Sequence, residues 1–176
     1  MRLAILFIVA FGSGVLAQST PPIVQEPQTI QHPIELSDIQ RAIRTLRSRA
    51  AEWHLAPDRI GVMGFSACGH LASTASTQFD RRNTASADAI DRAVFSTDAL
   101  VTTDTPPTFL FHTNADTSVP VENSVYYFLA LRKAGVPAEM HIFKDGAHGA
   151  GMPMNDTALS EWPKVLANWM RASGFL

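Results

Sequence analysis

Residues 64–69 read G-F-S-A-C-G, a serine set between glycines directly after the apolar run R-I-G-V-M. A serine hydroxyl attacks a carbonyl only when a base removes its proton, so a nucleophilic serine needs a histidine and, behind it, a carboxylate. The chain offers both downstream: Asp116 in N-A-D-T-S-V-P and His148 in K-D-G-A-H-G-A-G. His148 would take the proton from Ser66 and return it to the leaving group, while Asp116 would fix the imidazole tautomer and stabilise the imidazolium. Asp145 is the second carboxylate within reach, ranked behind Asp116 because it would share a short loop with the base. The main-chain N–H of Ala67 would face the developing oxyanion. Gly64, Phe65, Cys68 and Gly69 complete the turn, with Cys68 where a G-x-S-x-G elbow has its closing glycine. A cysteine there reads as a tolerable strain at a close strand–helix contact, so Cys68→Gly is expected to stabilise slightly or change nothing. Ser66 as a helix N-cap and Asp116 as a turn residue are the plainer readings. The first leaves Asp116 and His148 without a role.

Three short strands are needed to carry these residues. Ile60-Gly61-Val62-Met63-Gly64 suits a buried parallel strand ending before Ser66. Thr108–His112, entered through Pro106-Pro107, reads as the strand before Asp116, and Ala138–Phe143 as the strand before His148. Helices are expected between them. Leu36, Ile39, Ile43, Leu46, Ala50 and Trp53 recur at steps of three and four, with Ser37 and Asp38 suited to the start. Arg41, Arg44, Arg47 and Arg49 then form the solvated face of that helix. A second helix follows Ser66 through L-A-S-T-A-S-T, a third spans 121–134 up to Gly135, and Trp162, Val165, Leu166, Trp169 and Met170 mark a C-terminal one. Alternating strands and helices predict a parallel sheet covered on both faces, with catalytic groups beyond the carboxyl ends of the strands. His32, His54, His70, His112 and His141 read as structural or surface residues.

The chain order Ser…Asp…His is that of the α/β-hydrolases. The chain resembles secreted α/β-hydrolases of the acetylxylan-esterase-like and carboxylesterase group, close to the prolyl-oligopeptidase-type hydrolases. The resemblance rests on D-I-Q-R-A-I-R-T-L-R-S-R-A-A-E-W, R-I-G-V-M-G-F-S-A-C-G-H-L-A-S, D-T-P-P-T-F-L-F-H-T-N-A-D-T-S-V-P, V-P-A-E-M-H-I-F-K-D-G-A-H-G-A-G and W-P-K-V-L-A-N-W-M. It covers most of residues 32–172 and implies a shortened α/β-hydrolase-like three-layer sandwich that cleaves a carboxylic ester, such as an acetyl ester of a polysaccharide, without a cofactor. Family members also carry a glycine-rich loop that donates one oxyanion N–H, whereas no glycine occurs from Val15 to Ile60. A catalytically impaired or non-catalytic remnant is therefore the alternative reading, and a prolyl-oligopeptidase-type peptidase the second.

Composition sets the remaining expectations. The chain has 176 residues and a formal net charge of −2, with one cysteine, which suits one domain and gives no reason to expect nucleic acid as a partner. No His, Cys and carboxylate cluster has metal-ligand spacing. Cys68 lacks an intramolecular partner and is expected as a buried thiol. Arg2 followed by an apolar run to Ala17 reads as a signal peptide over 1–17, implying a secreted or periplasmic protein with no membrane partner after cleavage. Residues 18–35, rich in Pro and Gln, read as an extended arm, and 36–176 as the hydrolase-like domain with a shortened, polar connection over 80–107. So small a sheet would leave open edges, and a homodimer formed through one of them is an expectation.

Overall fold

A computed structural model describes residues 2–7, 32–79, 97–151 and 158–176. The described elements are β1 (Arg2–Phe7), α1 (His32–Ser48), β2 (Leu55–Met63), α2 (Ala67–Thr77), β3 (Thr108–Thr113), α3 (Glu122–Lys133), β4 (Ala138–Phe143) and α4 (Trp162–Ala172). Single 3-10 turns at Thr97–Leu100 and Leu159–Glu161 precede β3 and α4. Every strand pair is parallel. β1 runs beside β2 from Ala4↔Ile60 to Phe7↔Met63, and β3 beside β4 from Thr108↔Ala138 to Thr113↔Phe143. Parallel strands need a crossover, and α3 supplies it between β3 and β4.

That unit shows how sequence makes the element. Glu122 lies in the first turn of α3 and Arg132 and Lys133 in the last, each matched to the helix dipole at its own end. Tyr127, Leu131 and Val136 are buried together, with Val101, Leu110, Ala134 and Ala138 packed around them. Leu131 is fully buried, so one face of α3 is seated on the sheet. Tyr127 is anchored by its hydroxyl to Ser76 Oγ at 2.9 Å, which ties α3 to α2. Burial at that site raises the phenol above its ordinary pKa of 10.0.

The expected elements are present with three shifts. α1 begins at His32, so residues 32–35 belong to a helix and not to the extended arm; Pro33 in the first turn explains this, because its fixed φ suits a position whose N–H is unpaired anyway. α1 ends at Ser48, so Trp53 lies beyond it, 38% exposed, with the Arg49 guanidinium 5.4 Å above its ring. Ile39 and Ala50 are buried as the periodicity requires, and Arg41, Arg44, Arg47 and Arg49 face solvent. β2 is longer than its apolar core, starting at Leu55. Residues 18–31 of the arm and 80–96 of the connection lie outside the described residues, whereas Thr97–Leu100 forms a helical turn within that connection. The apolar run at the N-terminus contributes Arg2–Phe7 as β1, and the described strands form two two-stranded sheets, β1–β2 and β3–β4, where the sequence suggested one. No described helix is long and apolar enough to cross a membrane.

Candidate active site

β2 ends at Met63 and α2 begins at Ala67, leaving three residues to reverse the chain. Ser66 takes the sharpest part of that reversal, with φ 53 and ψ −126, a region that side-chain-bearing residues avoid. The reversal is possible because helix and strand touch main chain to main chain. A Cβ on Gly64 would lie 2.1 Å from the Cys68 carbonyl oxygen and 2.7 Å from the Gly69 nitrogen. Gly64 is thus the residue that must lack a side chain. Cys68 contributes its carbonyl to this contact and keeps its thiol half-buried, not fully buried as composition suggested. The first helical bonds run from Cys68 N–H to Phe65 O at 3.0 Å and from His70 N–H to Ser66 O at 3.1 Å. Ala67 is the first residue of α2, and its N–H lies at the helix N-terminus beside Ser66.

The three residues singled out by type meet in space. Ser66 Oγ lies 2.7 Å from His148 Nε2, and His148 Nδ1 lies 2.8 Å from Asp116 Oδ2. Asp116 leaves the turn after β3, and its side chain is only 7% exposed. Its other oxygen, Oδ1, accepts from Ser118 N–H at 2.8 Å and from Val119 N–H at 2.9 Å. Burial alone would raise the Asp116 pKa. The Val119 N–H, the His148 ring and the Ser118 N–H, with the charge of His148, outweigh it and bring the pKa from 3.8 to about 2. A carboxylate so held can only accept, which makes His148 Nδ1 the donor and leaves the Nε2 lone pair facing the Ser66 hydroxyl. Asp145 is placed elsewhere, three-quarters exposed and 3.7 Å from Lys144 Nζ.

His148 reaches Ser66 on a loop with three glycines at positive φ, Gly146 (128), Gly149 (74) and Gly151 (54). Gly146 is doubly constrained, since a Cβ there would meet Thr113 Cγ2 at 2.8 Å and Leu159 Cδ1 at 2.9 Å. The loop is tied down at its far end by Trp162, whose Nε1–H donates to Gly151 O at 2.8 Å. The same indole stacks on Phe111 of β3 (4.7 Å, 5°) and receives the edge of Phe65 at 5.7 Å. One buried ring therefore touches the residue before Ser66, the strand before Asp116 and the loop of His148.

His112 is the site residue that residue-type reasoning passed over. It lies on β3 with its Nδ1 2.7 Å from Ser124 Oγ, its Nε2 3.1 Å from Val119 O and 3.6 Å from Asp116 Oδ2. Its one mark in the sequence is a histidine directly after the apolar F-L-F, four positions before Asp116, which does not by itself reveal its partners.

Comparison with known proteins gives this geometry a family. The model of the prolyl oligopeptidase family matches residues 83–172, just over half of the chain and the part that carries Asp116 and His148. The chain belongs to that family. A second family model, BD-FAE, matches residues 25–97, the part that carries Ser66. The chain resembles an acetylxylan esterase of Xylanibacter ruminicola (27% identical over 171 residues, 79% of this chain and 36% of that one). It also resembles endo-1,4-beta-xylanase B of Butyrivibrio fibrisolvens (28% over 169 residues, 74% of this chain) and spans 26% of that protein's length. Among solved structures, the acetyl ester-xyloside bifunctional hydrolase of Caldicellulosiruptor lactoaceticus superposes with a TM-score of 0.75 at 36% identity, covering 85% of this chain and 69% of that one. The carboxylesterase Cest-2923 of Lactobacillus plantarum shares the fold at a TM-score of 0.68 and 21% identity. The parallel strand pairs and their helices are those of an α/β-hydrolase.

Proposed function

We propose that this member of the prolyl oligopeptidase family is a serine esterase. The hydrogen-bonded chain from Ser66 through His148 to Asp116, on a strained elbow, carries the reading. Ser66 Oγ attacks the ester carbonyl as His148 Nε2 takes its proton. The tetrahedral oxyanion forms beside the Ala67 N–H, where the dipole of α2 also favours negative charge. His148 then hands its proton to the departing alcohol, leaving an acyl group on Ser66. A water molecule entering where the alcohol left attacks the acyl carbon as His148 takes its proton. His148 returns that proton to Ser66 Oγ as the acyl–oxygen bond breaks, and the acid is released. Asp116 stays ionised throughout, holding the ring and stabilising its charged form.

The names of the similar proteins point to acetyl esters on xylan-type polysaccharide as the substrate class. The leader-like run up to Ala17 points to action outside the cytoplasm, where such polymers are found. Ester cleavage is preferred to peptide cleavage because of those relatives. A weakly active or non-catalytic chain is the second reading, favoured by the absence of glycine from Val15 to Ile60. One missing oxyanion donor costs roughly 10²–10³-fold in turnover.

An aryl acetate and a fluorophosphonate probe test the proposal on the purified, folded chain. Hydrolysis and covalent labelling at Ser66 are expected, with Ser66→Ala losing labelling and lowering turnover by roughly 10⁴-fold or more. A folded sample that neither hydrolyses the acetate nor takes the label favours the non-catalytic reading. Activity that survives Ser66→Ala removes Ser66 from its role.

A further inference from the structure

We propose that His112 is a positioning residue for the Asp116 carboxylate, a fourth member of the hydrogen-bonded chain that begins at Ser66. The proposal rests on the esterase reading for its kinetic consequences and on geometry for its existence. His112 Nε2 faces two atoms that can only accept, the Val119 carbonyl at 3.1 Å and Asp116 Oδ2 at 3.6 Å. Nε2 must therefore carry a proton. The Nδ1 lone pair is then free to accept from the Ser124 hydroxyl at 2.7 Å, in the first turn of α3. Strand β3 and helix α3 thus hold one imidazole from opposite ends of the turn they flank.

What the ring holds is the backbone at Val119. Its carbonyl accepts from His112, and its N–H donates to Asp116 Oδ1 at 2.9 Å. With His112 in place the peptides on both sides of the Val119 Cα are tied, the following one through its carbonyl to the ring and the preceding one through its N–H to Asp116. With Oδ1 pinned, Oδ2 is aimed at His148 Nδ1. The imidazole is 11% exposed, so water would not readily replace its Nε2–H. Asp116 is the charged partner of both rings among the described residues, and Lys144 and Asp145 pair with each other. A misplacement of about 1 Å in a catalytic group is enough to lower turnover ~10²-fold.

The test compares His112→Leu, His112→Gln and His112→Asn with wild type, per active site titrated with fluorophosphonate. Leu is expected to lower kcat roughly 10- to 100-fold with KM nearly unchanged. Gln, whose amide N–H reaches about as far as Nε2, should recover most of the loss; Asn, which reaches only the Nδ1 position, should not. The acid limb of the kcat/KM profile should move to lower pH in Leu, because an imidazolium less well held by Asp116 gives up its proton more readily. The low-field NMR signal of the His148 Nδ1 proton should weaken in step. Unchanged kcat and an unchanged signal in a folded Leu variant overturn the proposal, as does an Asn variant as active as Gln. A wild-type protein without esterase activity defeats the esterase reading alone, and the Nδ1 signal then decides for or against His112. If Leu does not fold, the Gln and Asn pair and Ser124→Ala, expected to lower kcat severalfold, decide it.

Discussion

At the scale of single residues, the elbow divides its demands between Gly64 and Ser66. The added carbon of Gly64→Ala would be driven into the main chain of Cys68, which no side-chain rotation relieves. A loss of about 2–4 kcal/mol in urea unfolding is expected. Cys68→Gly should cost no more than about 1 kcal/mol, through helix propensity. This reverses the sign expected from the motif alone, because the close approach is made by the backbone of residue 68 and not by its side chain. Asp116 sets an acid limit. Its folded pKa of about 2 lies below the ordinary 3.8. Its contribution to stability is therefore complete above about pH 4 and is lost as pH falls through about 2. The unfolding midpoints of wild type and Asp116→Asn should differ at pH 6 and converge over that window. The meeting of Ser66, His148 and Asp116 was legible because the chemistry of an activated serine asks for those residue types, and their order along the chain is that of the α/β-hydrolases. His112 was not legible, since its partners are a carbonyl and a hydroxyl that only the folded turn brings together.

Among the elements, the strand–loop–helix unit around Trp162 ties down the loop that carries His148. Trp162→Phe keeps a ring against Phe111 and Phe65 but removes the bond to Gly151 O. The expected result is a loss of about 1 kcal/mol in stability and a fall in kcat larger than any change in KM, read by denaturant titration and steady-state kinetics. β4 matches its sequence bounds because Pro137 and the Lys144–Gly146 turn punctuate it on both sides. α1 was misjudged at both ends for the opposite reason. Pro33 is compatible with a first turn as well as with an arm, and Trp53 falls in periodic step with α1 although the helix has already stopped.

For the molecule as a whole, the N-terminal run is the part that sequence reads in two ways. A continuous apolar stretch suits both a buried parallel strand and the apolar core of a leader. Here Arg2–Phe7 lies beside the strand that leads to Ser66. A chain starting at Gln18 would leave that edge of β2 bare. Against the full chain, residues 18–176 are expected to unfold at lower urea and to self-associate with rising concentration in sedimentation experiments, as open edges do. The indole at the centre has a different consequence. Trp162 is 2% exposed, so the ring that touches Phe65, Phe111 and Gly151 also belongs to the interior. A change to this one ring would therefore be felt twice, in the packing of the interior and in the placement of Ser66 and His148.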